Sequence, residues 1–323
     1  MCSYIGSAQT TPGPGAEPAT VMPSVTAVPE AARPSDHFDV DAATDAYMAK
    51  ISATARARSD AYFEGGYWLI LWDFLCGVII ALLLLNLGWS AVMRNLAQRL
   101  SRFKPVQTFL YWAQYLILTS ILGFPLAVYE GYIRERQYGL ATQTFGPWMV
   151  DQFKALLVSL VLGGILVVLL FGVVRRLPRT WWIWGSIVAI VFMVFAVMIA
   201  PVYIVPIFNK VTRLNDPKVT QPILQLARAN GIGAKDVYEI DASRQTTRMS
   251  ANVSGFGSTM RITLNDNLLK RGSPEEIQSV MGHEMGHYVL NHIIKFLVGF
   301  GLIIAVGFAL PRIRPASPGG AAA

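Results

Sequence analysis

The chain has 323 residues, of which 53% are hydrophobic and only 15% are charged, and its formal net charge is +7. Soluble globular domains carry about 25% charged residues, so this composition excludes a disordered chain and argues against an ordinary soluble globule. The two cysteines lie at the extreme start, Cys2, and inside an apolar run, Cys76. They therefore supply neither a disulfide framework nor a thiolate metal cluster.

Polar segments precede and follow the apolar part of the chain. Residues 1–40 are rich in Pro, Ala, Gly, Ser and Thr, and such a segment buries too little apolar surface to offset the entropy lost on ordering. We expect a disordered tail over residues 1–40 and a polar juxtamembrane helix over residues 41–66. Residues 311–323, PRIRPASPGGAAA, predict a second disordered tail.

Long apolar runs dominate the rest of the sequence. A helix of about 20 apolar residues spans the hydrocarbon core of a bilayer, because it satisfies its own backbone hydrogen bonds. Four such helices are predicted within residues 67–205, near Tyr67–Trp89, Val106–Val128, Phe153–Val174 and Trp181–Val205. A shorter fifth is predicted at residues 293–310. The expected fold is mainly α, a polytopic transmembrane helical bundle or barrel in a lipid bilayer, and buried helices of a large soluble core are the alternative.

The excess positive charge lies mostly beside these runs. Residues 206–292 hold ten basic and eight acidic residues and so contribute only +2 of the net charge. Arginines and lysines concentrate in the loops around residues 94–104 and 175–179. Basic residues that flank spans usually set topology, so we expect no nucleic-acid partner. By the same rule these two loops are cytoplasmic and residues 206–292 lie on the opposite face.

The polar segment of residues 206–292 contains the helix signal SPEEIQSVMGHEMGHYVLNH. Ser273 can cap the helix, Pro274 suits its first position, and Glu276 completes a capping box. These signals predict a helix from Pro274 through Asn291. Apolar residues at helical spacing predict a buried stripe on this helix, and they are Ile277, Val280, Met281 and Met285.

His283 and His287 are four residues apart on this helix, so their imidazoles lie on one face, one turn apart. At this spacing two nitrogens can bind one tetrahedral Zn²⁺ ion. Glu284 lies beside them and can act as a general base toward a water that zinc activates. The pattern H-E-x-x-H on a helix is typical of metallopeptidases. Two surface histidines on a solvated helix are the alternative.

A catalytic zinc site usually has three protein ligands, and the third is not evident. On a continuous helix His292 faces away from His283. Leu290 and Ile293 stand where a metzincin has Gly and His, which excludes that class. Residues 293–323 contain no Asp, Glu, His or Cys.

Five motifs, in order along the chain, resemble the integral-membrane zinc endopeptidases of the type I CAAX prenyl protease family, in its bacterial branch. They are RERQYGLATQT (134–144), PIFNKVTRL (206–214), DASRQTTRMSANVSGFG (241–257), RITLNDNLL (261–269) and VMGHEMGHYVLNH (280–292). The resemblance implies a multi-pass protein of the bacterial inner membrane. It also implies a helical barrel around a water-filled chamber, closed at one end by a small inserted α+β zinc-peptidase domain.

The resemblance further implies one Zn²⁺ per chain, bound by His283 and His287, with Glu284 as general base. It places Asn252 and Val253 on an edge strand that pairs with the backbone of a peptide or protein substrate, in eukaryotes near a prenylated cysteine. An edge strand suits this role because its unpaired backbone groups can add an extended peptide, although a plain hairpin fits residues 251–257 equally well. The family places the zinc domain on the cytosolic side, opposite to the side that the basic loops indicate.

The sequence departs from the family at its ends. In the family, a segment beyond a further membrane helix contributes two residues: a glutamate that is the third zinc ligand and a histidine on the acid side of the site. This sequence stops before both. We therefore expect a C-terminal truncation. Arg134 and Glu135 are expected to serve structure, as salt-bridge residues, rather than chemistry.

Two functions follow from these features. The first is a membrane zinc metalloendopeptidase that hydrolyses peptide bonds with a zinc-activated water. The second is a catalytically silent pseudoprotease that binds peptides without turnover. The approach of Glu130, Glu135 or Glu239 to the two histidines would favour the first.

Overall fold

The computed structural model describes residues 28–255 and 259–313, and long helices make up most of them. The tails expected at residues 1–40 and 311–323 fall largely outside these described ranges. The helices up to residue 208 are α1 (Val40–Met48), α2 (Ala53–Asn86), α3 (Trp89–Leu100), α4 (Lys104–Val128), α5 (Glu135–Gln137), α6 (Phe145–Arg176), α7 (Trp181–Ile199) and α8 (Val205–Phe208). Two π-helical turns continue α4 and α7, at Tyr129–Arg134 and Ala200–Ile204.

A smaller set of elements follows the eighth helix. They are β1 (Val211–Arg213), α9 (Pro217–Ala229), β2 (Val237–Ile240), β3 (Ala251–Ser254), β4 (Arg261–Asn265), α10 (Asp266–Arg271), α11 (Pro274–Val289) and α12 (His292–Ile313).

Five helical segments of the described chain are long and apolar enough to cross a membrane. They are Ala53–Asn86, Lys104–Gln137, Phe145–Arg176, Trp181–Phe208 and His292–Pro311. Many of their large apolar side chains point outward, among them Ile70, which is 67% exposed. Such outward apolar surface is stable in contact with lipid and not with water. With the small sheet inserted between the fourth and fifth segments, the predicted fold class is confirmed.

The segment expected to be a separate juxtamembrane helix, residues 41–66, is divided differently. The short helix α1 ends at Met48, and α2 continues without a break from Ala53 into the first apolar run. The Ser52 side chain accepts a hydrogen bond from the backbone N–H of Ala55 and so begins α2. A helix ends where its backbone hydrogen bonds end, and the change from polar to apolar residues near residue 66 does not interrupt them.

Small residues allow close packing between the membrane helices. Helix α6 packs against α4 and α7, and α7 packs against α12. At Gly164 the α6 backbone lies against the Phe109 ring, and at Gly185 the α7 backbone lies against the Phe308 ring. These contacts hold four of the long helices in one bundle.

The four strands of the described residues form one sheet with the order β1-β2-β4-β3. Strand β2 is antiparallel to β1 and parallel to β4, while β3 is antiparallel to β4. In this last pair Asn252 lies opposite Thr263, and Val253 lies opposite Ile262. Strand β3 is therefore an edge strand, and α11 packs against it.

The buried core of this unit lies between the sheet and the helices α9 and α11. Ile262 and Leu264 of β4 are fully buried, as is Ile223 of α9. The stripe predicted on α11 faces this core: Ile277, Met281 and Met285 are buried, and Val280 packs beside them. Burial of this stripe fixes the rotation of α11 and thus the direction of its remaining side chains.

Candidate metal centre

The helix that carries the H-E-x-x-H motif begins with the predicted capping box. The backbone N–H of Glu276 donates to Ser273 Oγ at 3.2 Å, and the backbone N–H of Ser273 donates to Glu276 Oε2 at 2.8 Å. These bonds satisfy two of the N–H groups that a helix start leaves unpaired. The motif lies in the last two turns of the same helix.

His283 and His287 turn their rings toward each other. Their Nε2 atoms are 3.0 Å apart, and their ring centroids are 4.7 Å apart. Two nitrogens bound to one tetrahedral zinc ion at 2.0–2.1 Å lie about 3.3 Å from each other. The separation of the two Nε2 atoms is therefore within a few tenths of an ångström of the separation that a shared zinc ion requires.

Glu284 follows His283 on α11 and is half-buried. Burial raises the pKa of its carboxyl above the ordinary value, against the opposite effect of the His287 and His283 imidazoles. A carboxylate whose pKa is raised in this way is a better proton acceptor, as a general base requires.

The prediction of one continuous helix through Asn291 is wrong. Helix α11 ends at Val289, Asn291 has a φ of 55°, and α12 begins at His292. Asparagine tolerates this left-handed conformation, and the resulting turn directs His292 back toward the motif. Its Nδ1 lies 2.7 Å from Nδ1 of His287. His292 therefore does not face away from the two histidines.

A third ligand does not join the two imidazoles among residues 28–255 and 259–313, where no three His, Cys, Asp or Glu side chains are grouped to hold a metal ion. Glu135 binds Arg248 and Tyr62 instead. Glu239 lies on β2 opposite Thr212, and Glu130 lies in the π-helical turn after α4.

Asn252 and Val253 lie on the edge strand β3, next to α11. The Val253 side chain is buried in the core of the sheet unit, whereas Asn252 is exposed. Alternation of this kind is normal for a strand with one buried face. Strands β3 and β4 pair antiparallel, and β3 is the edge strand that the resemblance implies. Residues 256–258, which would belong to the turn of a hairpin, lie outside the described ranges.

Contacts from the first half of the chain hold the loop that enters β3. Ala141 forms an isolated bridge with Thr246, and the backbone N–H of Thr142 donates to the Gln245 carbonyl at 3.1 Å. Asp151 of α6 accepts a hydrogen bond from the Gln245 side-chain amide at 2.9 Å. Two of the motifs that carry the resemblance are thus in direct contact, which the sequence did not indicate.

Arg134 and Glu135 contact different neighbours. Glu135 pairs with Arg248, and Arg134 donates to the Tyr62 carbonyl oxygen while its guanidinium stacks over the Tyr62 ring. Consecutive residues on a helical turn point in directions about 100° apart, so each of the two side chains meets a different neighbour.

A capped H-E-x-x-H helix beside an edge strand, joined to a bundle of membrane helices, defines the class of integral-membrane metallopeptidases. Comparison with known families agrees with this class. Residues 40–210, more than half of the chain, match the family described as CAAX prenyl protease N-terminal, five membrane helices, and residues 213–314 match peptidase family M48. The chain belongs to the M48 metallopeptidases of the CAAX prenyl protease type, and the family predicted from the motifs is confirmed.

Several named proteins are similar to the chain. The "Uncharacterized metalloprotease YhfN" of Bacillus subtilis is 31% identical over 225 residues, which cover 70% of this chain and 53% of that protein. CAAX prenyl protease 1 of Saccharomyces cerevisiae is 30% identical over 182 residues, 56% of this chain and 40% of that protein. The chain thus spans about half the length of these curated relatives.

A solved structure has the same fold. The crystal structure of S. mikatae Ste24p matches this protein with a TM-score of 0.69 and a sequence identity of 24%. The match covers 79% of this chain and 62% of the Ste24p chain. Family M48 membership implies a metal cofactor, and the five membrane helices make the protein an integral multi-pass one.

Proposed function

We propose that this protein is a membrane-embedded zinc metalloendopeptidase whose peptidase chemistry lies in residues 206–292. The observation that carries this proposal is the 3.0 Å approach of the His283 and His287 Nε2 atoms, with Glu284 directly after His283 on the same helix. Membership of family M48 supports it independently. We further propose the bacterial inner membrane as its location.

His283 and His287 are the residues that would hold the metal, one Zn²⁺ per chain. When bound, zinc supplies a Lewis acid that polarises a carbonyl and lowers the pKa of water. Glu284 accepts the proton of the attacking water and returns it to the amine that leaves. Burial of the Met281 and Met285 side chains fixes the rotation of α11, and at about 100° per residue this places His283 and His287 on the opposite side of the helix.

The edge strand β3 is the surface proposed to bind the peptide substrate. Its outer backbone groups face away from β4, and a peptide in extended conformation can pair with them as one more strand. Asn252 and Val253 lie at the centre of this strand. Because relatives bear the name CAAX prenyl protease 1, we propose that the substrates are peptides cleaved near a C-terminal cysteine. Comparison of prenylated and unprenylated peptides tests whether that cysteine must carry a lipid.

A silent peptide-binding protein is the second candidate, favoured by the fact that only two ligands meet within the described residues. The two candidates differ in turnover, which a fluorogenic peptide assay measures directly. Purified protein in detergent is tested with prenylated and unprenylated forms of one peptide, and its zinc content is measured by elemental analysis.

The variants Glu284→Gln and His283→Ala separate the roles. Glu284→Gln should abolish hydrolysis and leave the zinc content nearly unchanged, while His283→Ala should remove both. Glu275→Gln, an exposed change on the first turn of the same helix, is the matched control and should alter neither. Equal zinc content and equal activity in the parent protein and His283→Ala would refute the proposal that this site is a zinc peptidase. Stoichiometric zinc without turnover would support the silent protein.

A further inference from the structure

His292 contacts the motif from outside it. Its ring centroid lies 4.9 Å from that of His287, and the two Nδ1 atoms are 2.7 Å apart. On the other side of the His287 ring, Nε2 lies 3.0 Å from His283. His287 is therefore held at both ring nitrogens, by a different histidine at each.

A neutral imidazole carries one proton, on either Nδ1 or Nε2, and only the other nitrogen can bind a metal. A hydrogen bond from Nδ1–H of His287 to Nδ1 of His292 places the proton on Nδ1 and leaves Nε2 with its lone pair. Partners of this kind commonly fix the tautomer and ring direction of metal-binding histidines.

We propose that His292 is a positioning residue that holds His287 in the tautomer and rotamer whose Nε2 binds zinc. This inference rests on the proposed function, since it concerns the same metal. His292 acts through His287, because its Nδ1 faces the Nδ1 side of that ring and not the side on which the two Nε2 atoms meet.

The turn at Asn291 is what makes the contact possible. Five residues along a continuous helix correspond to a rotation of about 140°, which would direct His292 away from His287. Asn291 instead has a φ of 55°, and its carbonyl accepts the first backbone hydrogen bond of α12, from Lys295 at 3.0 Å. Glycine can adopt this conformation without strain, whereas a β-branched residue cannot.

The primary experiment measures the zinc dissociation constant of the full chain in detergent by competition with a chromogenic chelator. His292→Leu should weaken zinc binding about 10- to 100-fold, and His292→Gln, whose amide oxygen accepts a hydrogen bond, should recover part of the loss. His37 is exposed and distant in sequence from the motif. His37→Gln is therefore the matched control and should bind zinc like the parent protein. Unchanged affinity in a folded His292→Leu would overturn the inference. Loss as complete as in His283→Ala would also overturn it, because His292 would then be a ligand.

A second measurement requires no metal. The chain has four histidines, so ¹⁵N-histidine labelling gives few imidazole signals, and their shifts report the tautomer of each ring. We expect the Nδ1–H tautomer for His287, lost in His292→Leu and in Asn291→Val but retained in Asn291→Gly. The same His287 tautomer in the parent protein and in all three variants would contradict the positioning role. Absence of zinc from the parent protein, with this pattern intact, would instead refute the proposed function alone.

Discussion

Glu135 and Arg248 form an ion pair across 113 residues of sequence, with both Glu135 oxygens within 3.0 Å of one Arg248 nitrogen. Tyr62 of α2 donates to the same carboxylate at 2.6 Å. Since Glu135 belongs to the end of the second span and Arg248 precedes β3, the pair connects the membrane helices to the loop that enters the edge strand. The Glu135 side chain is only 19% exposed, so solvent screens the pair incompletely.

We expect this ion pair to stabilise the protein measurably. Arg248→Ala leaves a half-buried carboxylate without its cation and should lower the free energy of unfolding by about 1–3 kcal/mol. A double-mutant cycle with Glu135→Gln, read from thermal unfolding in detergent, should give a coupling energy of about 1 kcal/mol or more. The pair Arg213–Asp236, whose two side chains are 66% and 27% exposed, is the better solvated control and should give a smaller coupling energy. Equal coupling in the two cycles would contradict this prediction.

Local sequence signals predicted the elements whose causes are local. The capping box of Ser273 and Glu276 formed as its spacing indicated, and the stripe containing Met281 is buried. The apolar runs likewise identified five membrane helices, because lipid requires about 20 apolar residues in each. Both signals depend on residues within one helix.

The parts that sequence reasoning missed depend on one backbone angle or on distant partners. The end of α11 depends on the left-handed conformation of Asn291, for which asparagine before His292 was the only available signal. The partner of Glu135 lies 113 residues away, and no local pattern encodes such a contact. The change from polar to apolar residues near residue 66 predicts a boundary there, whereas backbone hydrogen bonds continue α2 from Ala53 to Asn86.

The buried carboxylate of Asp266 should make the stability of the sheet unit depend on pH. Asp266 is 5% exposed and accepts hydrogen bonds from the Ser243 backbone N–H and from Lys270 Nζ, each at 2.8 Å. Burial alone raises the pKa of a carboxyl, but here the hydrogen bonds from Lys270 and Ser243 and the Lys270 charge outweigh it, and the pKa of Asp266 is lowered.

A carboxyl whose pKa is lower in the folded than in the unfolded protein stabilises the fold above its unfolded-state pKa, about 3.9 for Asp. This contribution is lost as the pH falls through the folded-state pKa. Asp266→Asn should therefore cost about 1–3 kcal/mol at pH 7, and its difference from the parent protein should shrink below about pH 4. Thermal unfolding measured from pH 7 to 3 checks this, with Glu275→Gln as the exposed control. A difference that stays constant over this range would exclude the proposed contribution of Asp266.

The close contact between α6 and α4 predicts opposite effects for two glycines of the same helix. A Cβ atom at Gly164 would lie 2.6 Å from Cε2 and 2.7 Å from Cδ2 of the Phe109 ring, whereas one at Gly172 would meet nothing within 4 Å. Gly164→Ala should force the helices apart and lower the free energy of unfolding by about 1–3 kcal/mol. Gly172→Ala should instead raise it by up to about 1 kcal/mol, because alanine favours the helix over glycine.

Thermal unfolding of both glycine variants in one detergent compares these effects directly. Phe109→Leu combined with Gly164→Ala provides a further check, since a smaller side chain at position 109 should restore part of the stability that Gly164→Ala removes. If the two alanine variants shift the unfolding temperature equally and in the same direction, the Phe109 ring does not restrict the approach of α6 to α4. The packing of the bundle would then depend on other contacts, such as that of Gly185 with Phe308.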